Sequence, residues 1–190
     1  MMFVEVFTPE GFLTSERRDR LAHDLVNEVV KADSAPPEVL EAERAISHVV
    51  FHEVGTWYTG GRRAEHGLLV RVSVPEGWRE DMSPYLVEIY GRLLGDSAAM
   101  VHVVGVPEGG LGLGGEVLRA NDIVRLITRP FRESGAQRAE PPAGSGLDPV
   151  CGMYVPFEHA AGTAERDGTR YAFCSKGCHE VFEEERTRLQ

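Results

Sequence analysis

The sequence predicts an α+β protein in two parts. Two βαβ units form a four-stranded sheet with two helices on one face, and a small cysteine-centred module with a hairpin and a C-terminal helix follows. Three observations carry this reading. A stretch of alternating apolar and polar residues ending in Pro-Glu-Gly occurs twice, at Val4–Phe12 and at Val70–Trp78. Residues 132–146 are small, polar and rich in glycine and proline, with no apolar period, as in a flexible linker. All three cysteines, Cys151, Cys174 and Cys178, lie beyond that stretch. The predicted boundaries are therefore 1–131, 132–146 and 147–190.

In the first copy, alternation over Val4–Thr8 marks a strand, and Pro9-Glu10-Gly11 turns the chain. A helix follows, capped by Thr14 or Ser15, with Leu21, Leu25, Val26, Val29 and Val30 at helical spacing. Residues Ser34 to Ala45, with Pro36-Pro37, are an addition and read as a lid or surface loop carrying a short helix. Ser47–His52 is the next strand, running into a glycine tip at Gly60-Gly61. The second copy repeats the order. A strand ends at Pro75-Glu76-Gly77, and a helix starts from Asp81 or Ser83 with Pro84 in its first turn, where no intrahelical donor is lost. A strand at Val101–Val106 leads to the tip Leu111–Glu116. Gly109–Gly115 fits a hairpin tip better than a phosphate-cradling loop, which links a strand directly to a helix. Helical crossovers between parallel strands cover one face of the sheet. The other face needs a cover that an oligomer can supply.

Past residue 146, Gly162–Phe173 reads as a hairpin turning at Asp167-Gly168. The last helix starts at Cys174 and continues through Val181, Phe182, Glu185 and Leu189, with Glu183-Glu184-Glu185 on its solvated side followed by Arg186 and Arg188. Residues four apart on a helix share a face, about 5–6 Å between Cβ atoms. With Zn–S bonds of about 2.3 Å, two sulfurs on one ion sit somewhat under 4 Å apart, so Cys174 and Cys178 suit one ion. Cys151 precedes Gly152 in a tight knuckle. Three buried thiols behaving as small hydrophobes is the plainer reading. Clustering, spacing and a module too short to be stable without a metal, disulfides or a partner favour a metal. For a fourth ligand Asp148, Met153, His159, His179, water and another chain stay open; His179 points away from Cys178 and reads as a solvated helix residue. A three-thiolate site suits soft ions, zinc or copper(I) among them. The helix N-terminus is expected to favour the Cys174 thiolate.

A formal charge of −10 lacks the basic footprint of partners such as nucleic acid or an anionic membrane. A 42% hydrophobic content suffices for a real core. There is no long apolar run, and Met1–Val6 reads as the start of a strand rather than a leader. An odd cysteine count fits a reducing cytoplasm better than a disulfide framework.

Asp148-Pro149-Val150-Cys151-Gly152-Met153, Tyr171-Ala172-Phe173-Cys174-Ser175 and Cys178 with Phe182 resemble the YHS family of small metal-binding modules, of the treble-cysteine "TRASH" type. That resemblance implies a transition-metal ion, zinc or copper, held by Cys151, Cys174 and Cys178, and a possible metal-handling partner protein. Gly112-Leu113-Gly114-Gly115-Glu116 and the two Glu-Gly turns are similar to the tautomerase superfamily, of 4-oxalocrotonate tautomerase and macrophage migration inhibitory factor type. This second resemblance implies a homotrimer with inward-facing sheets and an N-terminal catalytic proline. Here Met2 takes the place of that proline and Leu68 its counterpart; Phe12 and Trp78 stand where an arginine follows the turn. His48 and His102 take the place of the later arginine, one in each copy. The expectation is metal storage, sensing or delivery on a tautomerase-like scaffold. The alternative is an isomerase or lyase using a non-proline base near Met2, His48 or His102, with Phe12, Trp57 and Tyr58 lining a pocket beside it. His48 and His52 share a strand face and read as polar lining rather than a metal pair.

Overall fold

The first repeat consists of β1 (Phe3–Pro9), α1 (Ser15–Asn27) and β2 (His48–Val54), with α2 (Pro37–Ala45) interposed. A hairpin of β3 (Tyr58–Thr59) and β4 (Arg62–Arg63) leads to the second repeat: β5 (Leu69–Pro75), α3 (Glu76–Leu94) and β6 (Met100–Val106). A second hairpin follows, β7 (Leu111–Leu113) and β8 (Glu116–Leu118), then α4 (Ala120–Ser134). This computed structural model describes residues 2–31, 34–95, 98–135 and 138–188. By contacts the chain divides into two units, Met1–Lys31 with Ile46–Leu111, and Ala32–Ala45 with Gly112–Gln190.

In the first unit the sheet order is β2-β1-β5-β6. β1 runs parallel to β2 and β5 parallel to β6, while β1 and β5 are antiparallel. Val4, Val6, Val70 and Val72 are fully buried, with Leu21, Leu25, Leu86 and Tyr90 from α1 and α3. The alternate residues Phe3, Glu5, Phe7, Arg71 and Ser73 point to the other face. One face is thus packed under the two helices, as predicted. The Tyr90 hydroxyl donates to Leu25 O at 3.1 Å and approaches Met2 Sδ at 3.8 Å, joining α3, α1 and the start of β1.

Thr14 caps α1, accepting from Arg17 N. The expected start of α3 at Asp81 or Ser83 is corrected: the helix opens at Glu76, straight after Pro75, and passes through Pro84. Pro-Glu-Gly therefore makes a turn in the first copy and a helix start in the second. Pro84 costs the ladder one donor, and next to it the Ser83 hydroxyl donates to Arg79 O. The glycine tips form as hairpins, with Gly60-Gly61 and Gly114-Gly115 all at positive φ.

The matching of His48 with His102 is also corrected. His48 pairs with Phe3, and Met100 pairs with Leu69, the counterpart of Phe3. Met2 O accepts from His48 N and Leu68 O from Met100 N, each at 3.0 Å. His48 therefore corresponds to Met100. His102, opposite Arg71, corresponds to Val50, opposite Glu5. A slip of two residues keeps the face, so alternation alone does not reveal it.

In the second unit, β9 (Ser145–Leu147) pairs with β10 (Tyr154–Pro156), and β11 (Gly162–Arg166) with β12 (Thr169–Phe173), before α5 (Lys176–Arg188). The β11–β12 hairpin turns at Asp167-Gly168, as expected. The expected linker is narrower than 132–146, since α4 runs to Ser134 and β9 starts at Ser145. The boundary at 131 moves as well. Residues 34–45 and 113–135 gather with the cysteine module. The insert is not a free lid: its helix α2 packs on α4. The acidic run at 183–185 is not simply solvated either, because Glu184 pairs with Arg125 and Glu185 with Arg132 on α4.

Candidate metal centre

Two short segments build the site. In the first, the Asp148 carbonyl accepts Gly152 N–H and its own N–H donates to Met153 O, both at 2.8 Å, which closes a knuckle around Pro149–Cys151. Gly152 has φ +77, a conformation costly for any residue with a Cβ. A Cβ there would also lie 2.6 Å from Phe131 Cζ and 2.8 Å from Pro36 Cγ. The knuckle is thus seated against α4 and the insert. In the second segment, Ser175 caps α5: its hydroxyl accepts from Cys178 N at 3.1 Å and its carbonyl from His179 N. Cys174 therefore stands just before the helix rather than in its first turn, a correction to the predicted start. The two sulfurs still converge, because Cys178 turns back over the cap.

Cys151 Sγ lies 3.5 Å from Cys174 Sγ, which lies 3.7 Å from Cys178 Sγ. All three cysteines are free, and Cys151 and Cys178 are buried. With one oxygen of Asp148, the ligand atoms all fall within 4.8 Å of one another. These distances are well beyond a disulfide bond and match two or three ligands of one cation.

Asp148 is fully buried and joins the two segments. Its Oδ1 accepts from Val150 N at 2.9 Å and Cys151 N at 3.3 Å, and its Oδ2 from Cys174 N at 3.0 Å. Burial, and then the negative charge of Cys174, push its carboxyl up to about 6. The Cys174 thiol is held well below its usual range by hydrogen bonds from Cys151 and Cys178. Cys151 is pushed well up, first by its bond to Cys174. The direction for Cys174 is the expected one, with the neighbouring thiols as its largest cause. Glu43 on α2 is raised by burial, and in smaller part by the Cys174 charge; no sequence signal pointed to it.

Of the histidine and carboxylate candidates for a fourth ligand, Asp148 is the one in the cluster among the described residues. His159 is exposed and pairs with Glu158. The His179 ring stacks on Phe173 at 4.6 Å, so it is a packed residue rather than a solvated one.

The candidates for catalysis do not meet. Met2 is 1% exposed, beneath Tyr90. His48 and His102 are exposed on outer strands of the sheet. His52 stacks on Phe7 and pairs with Glu5 at 3.1 Å, a polar lining role. A cleft of about 750 Å³ is lined by Phe12, Trp57, Arg63 and His66. It lies past Pro9 and Val54, at the opposite end of β1 from Met2. The predicted pocket beside Met2 is therefore corrected, since a seven-residue strand separates the two places.

The fold and the cluster define an α+β protein with a four-stranded mixed sheet and a small cysteine-centred module. Residues 147–188 match the YHS domain family. No curated protein matches the chain in sequence. Among solved structures, Pt0534 inactivated by 2-oxo-3-pentynoate matches with a TM-score of 0.50 at 23% identity, over 60% of this chain and 94% of that one. Native fused 4-OT gives 0.49 at 21% identity, over 60% and 94%. A macrophage migration inhibitory factor-like protein from Entamoeba histolytica gives 0.47 at 13%, over 62% and 98%. The N-terminal part shares the fold of these structures, and residues 147–188 match the YHS domain family.

Proposed function

We propose that the chain binds a transition-metal ion, zinc or copper(I), through Cys151, Cys174 and Cys178, for storage, sensing or delivery in a reducing compartment such as the cytoplasm. The observation that carries this is the convergence of three free sulfurs, from two segments, on one point. A three-sulfur donor set suits soft ions. Asp148, committed to three backbone N–H groups, positions both segments; its carboxylate is the nearest further ligand. Bound metal would hold the knuckle against the helix cap and stabilise the small module.

The N-terminal part is proposed as a homotrimeric scaffold that multiplies these sites. The open face of its sheet supports this, with Phe3, Val50, Val104 and Met100 exposed on it, Met100 at 55%. Burial of Met2 favours a scaffold over the isomerase or lyase alternative. Elemental analysis of the purified chain tests the metal reading. We expect about one ion per chain, and its loss in Cys174→Ser and Cys178→Ser. Unchanged metal content in both variants would refute it.

A further inference from the structure

A second site lies in the same unit, beside the knuckle. A groove of about 450 Å³ runs between the C-terminal end of α4, the Pro149-Val150 loop, the β11–β12 hairpin and α5. Its floor is apolar: Phe131, Val150 and Phe182. Its rim carries three arginines from three elements: Arg132 on α4, Arg166 on the hairpin and Arg186 on α5. Glu185 is the acidic residue on the lining. It is already engaged, with both oxygens on Arg132 Nη2 at 2.8 and 2.9 Å and Arg125 Nε at 3.8 Å. The lining itself thus carries three arginines against one glutamate, with Asp167 and Glu183 paired to Arg166 and Arg186 just outside it.

We propose that this groove docks an acidic segment of a partner protein, with one apolar side chain of the segment on the floor and its carboxylates on Arg166 and Arg186. Three features select this occupant. Arg166 and Arg186 are 53% and 51% exposed, so their guanidinium groups reach outward over an open groove. Their own partners are surface pairs: Asp167, almost fully exposed, lies 3.5 Å from Arg166, and Glu183, one helical turn from Arg186, lies 2.9 Å from it. Surface pairs of that kind contribute little and exchange readily for an incoming carboxylate. The floor is nearly closed, since Phe131 and Val150 show only a sliver of surface, which leaves room for a single anchoring side chain. Val150 precedes Cys151, so a docked partner lies beside the cysteine cluster, but the site stands without any metal.

The test uses the full chain and two fluorescein-labelled peptides of equal Phe and Leu content. One alternates these residues with Asp and Glu, the other with Lys, and binding is read by fluorescence anisotropy. The acidic peptide is expected to bind more tightly, and to weaken about tenfold or more in Arg166→Glu/Arg186→Glu and in high salt. Arg166→Gln/Arg186→Gln is expected to fall between. Near-UV circular dichroism and metal content serve as controls, because both arginines lie outside the core and the cluster. Equal binding of the two peptides, or undiminished binding of the acidic one by the charge-reversed chain, overturns the proposal. Either result leaves the metal reading untouched, since that rests on metal content.

Discussion

At Asp148 one side chain settles how two distant segments meet. Its oxygens take the N–H groups of Val150, Cys151 and Cys174. Replacing it with Ala strands buried donors, each costing about 1–3 kcal/mol. Asp148→Ala is therefore expected to lower the denaturation midpoint and weaken metal binding together, measurable by urea titration with and without metal. Its titration gives a pH signature in the metal-free chain. The native carboxyl is raised to about 6 from an ordinary value near 3.8. Between those values the native state holds more protons than the unfolded one, so this residue's contribution falls as pH rises from about 4 to about 6. The stability of the native chain relative to Asp148→Asn should fall over that window. A difference that is flat or rises would contradict the assignment. Gly152→Ala forces a Cβ into positive φ and onto Phe131 and Pro36. About 1–3 kcal/mol of stability should be lost, read from thermal melts. The gathering of the three cysteines was legible from the one-turn spacing of Cys174 and Cys178, their clustering with Cys151 and the YHS resemblance. Asp148 stood among several candidates, because the direction of backbone N–H groups is a property of the folded knuckle rather than of residue types.

Among elements, the strands and α1 followed from period and caps. The errors lie where local rules meet packing. Pro84 suggested a helix start, yet α3 runs eight residues before it. Ala120–Ser134 is a helix that passes through Pro130 and buries Ile123, Val124, Thr128 and Phe131. Its start is fixed by Asp122, whose carboxylate accepts from Arg119 N at 3.0 Å. In both helices tertiary burial outweighs the missing donor. The slip between His48 and His102 has another cause: a period of two cannot distinguish neighbouring positions on one face. Between α1 and α3 the Tyr90 hydroxyl makes a buried polar tie. Tyr90→Phe should cost about 1 kcal/mol, seen as a shifted unfolding midpoint with the slope unchanged.

At the scale of the molecule, the repeat predicted a sheet with one covered face, and the exposed Phe3, Val50, Val104 and Met100 mark the other. If copies of this chain close over that face, Val50→Glu/Val104→Glu should shift the native mass from trimer to monomer. An unchanged mass would place the interface elsewhere. The sequence also suggested a tether between two separate parts. Instead the insert at 34–45 and α4 belong with the cysteine module and floor its knuckle, an arrangement that sequence adjacency conceals. Among the described residues no helix is long and apolar enough to cross a membrane.

X-ray absorption at the metal edge of the zinc-loaded chain probes the cluster most directly. Three sulfur neighbours at about 2.3 Å are predicted in the parent chain, with the bound-metal signal lost in Cys174→Ser. A first shell of nitrogen and oxygen alone, or one indifferent to Cys174→Ser, would contradict the account.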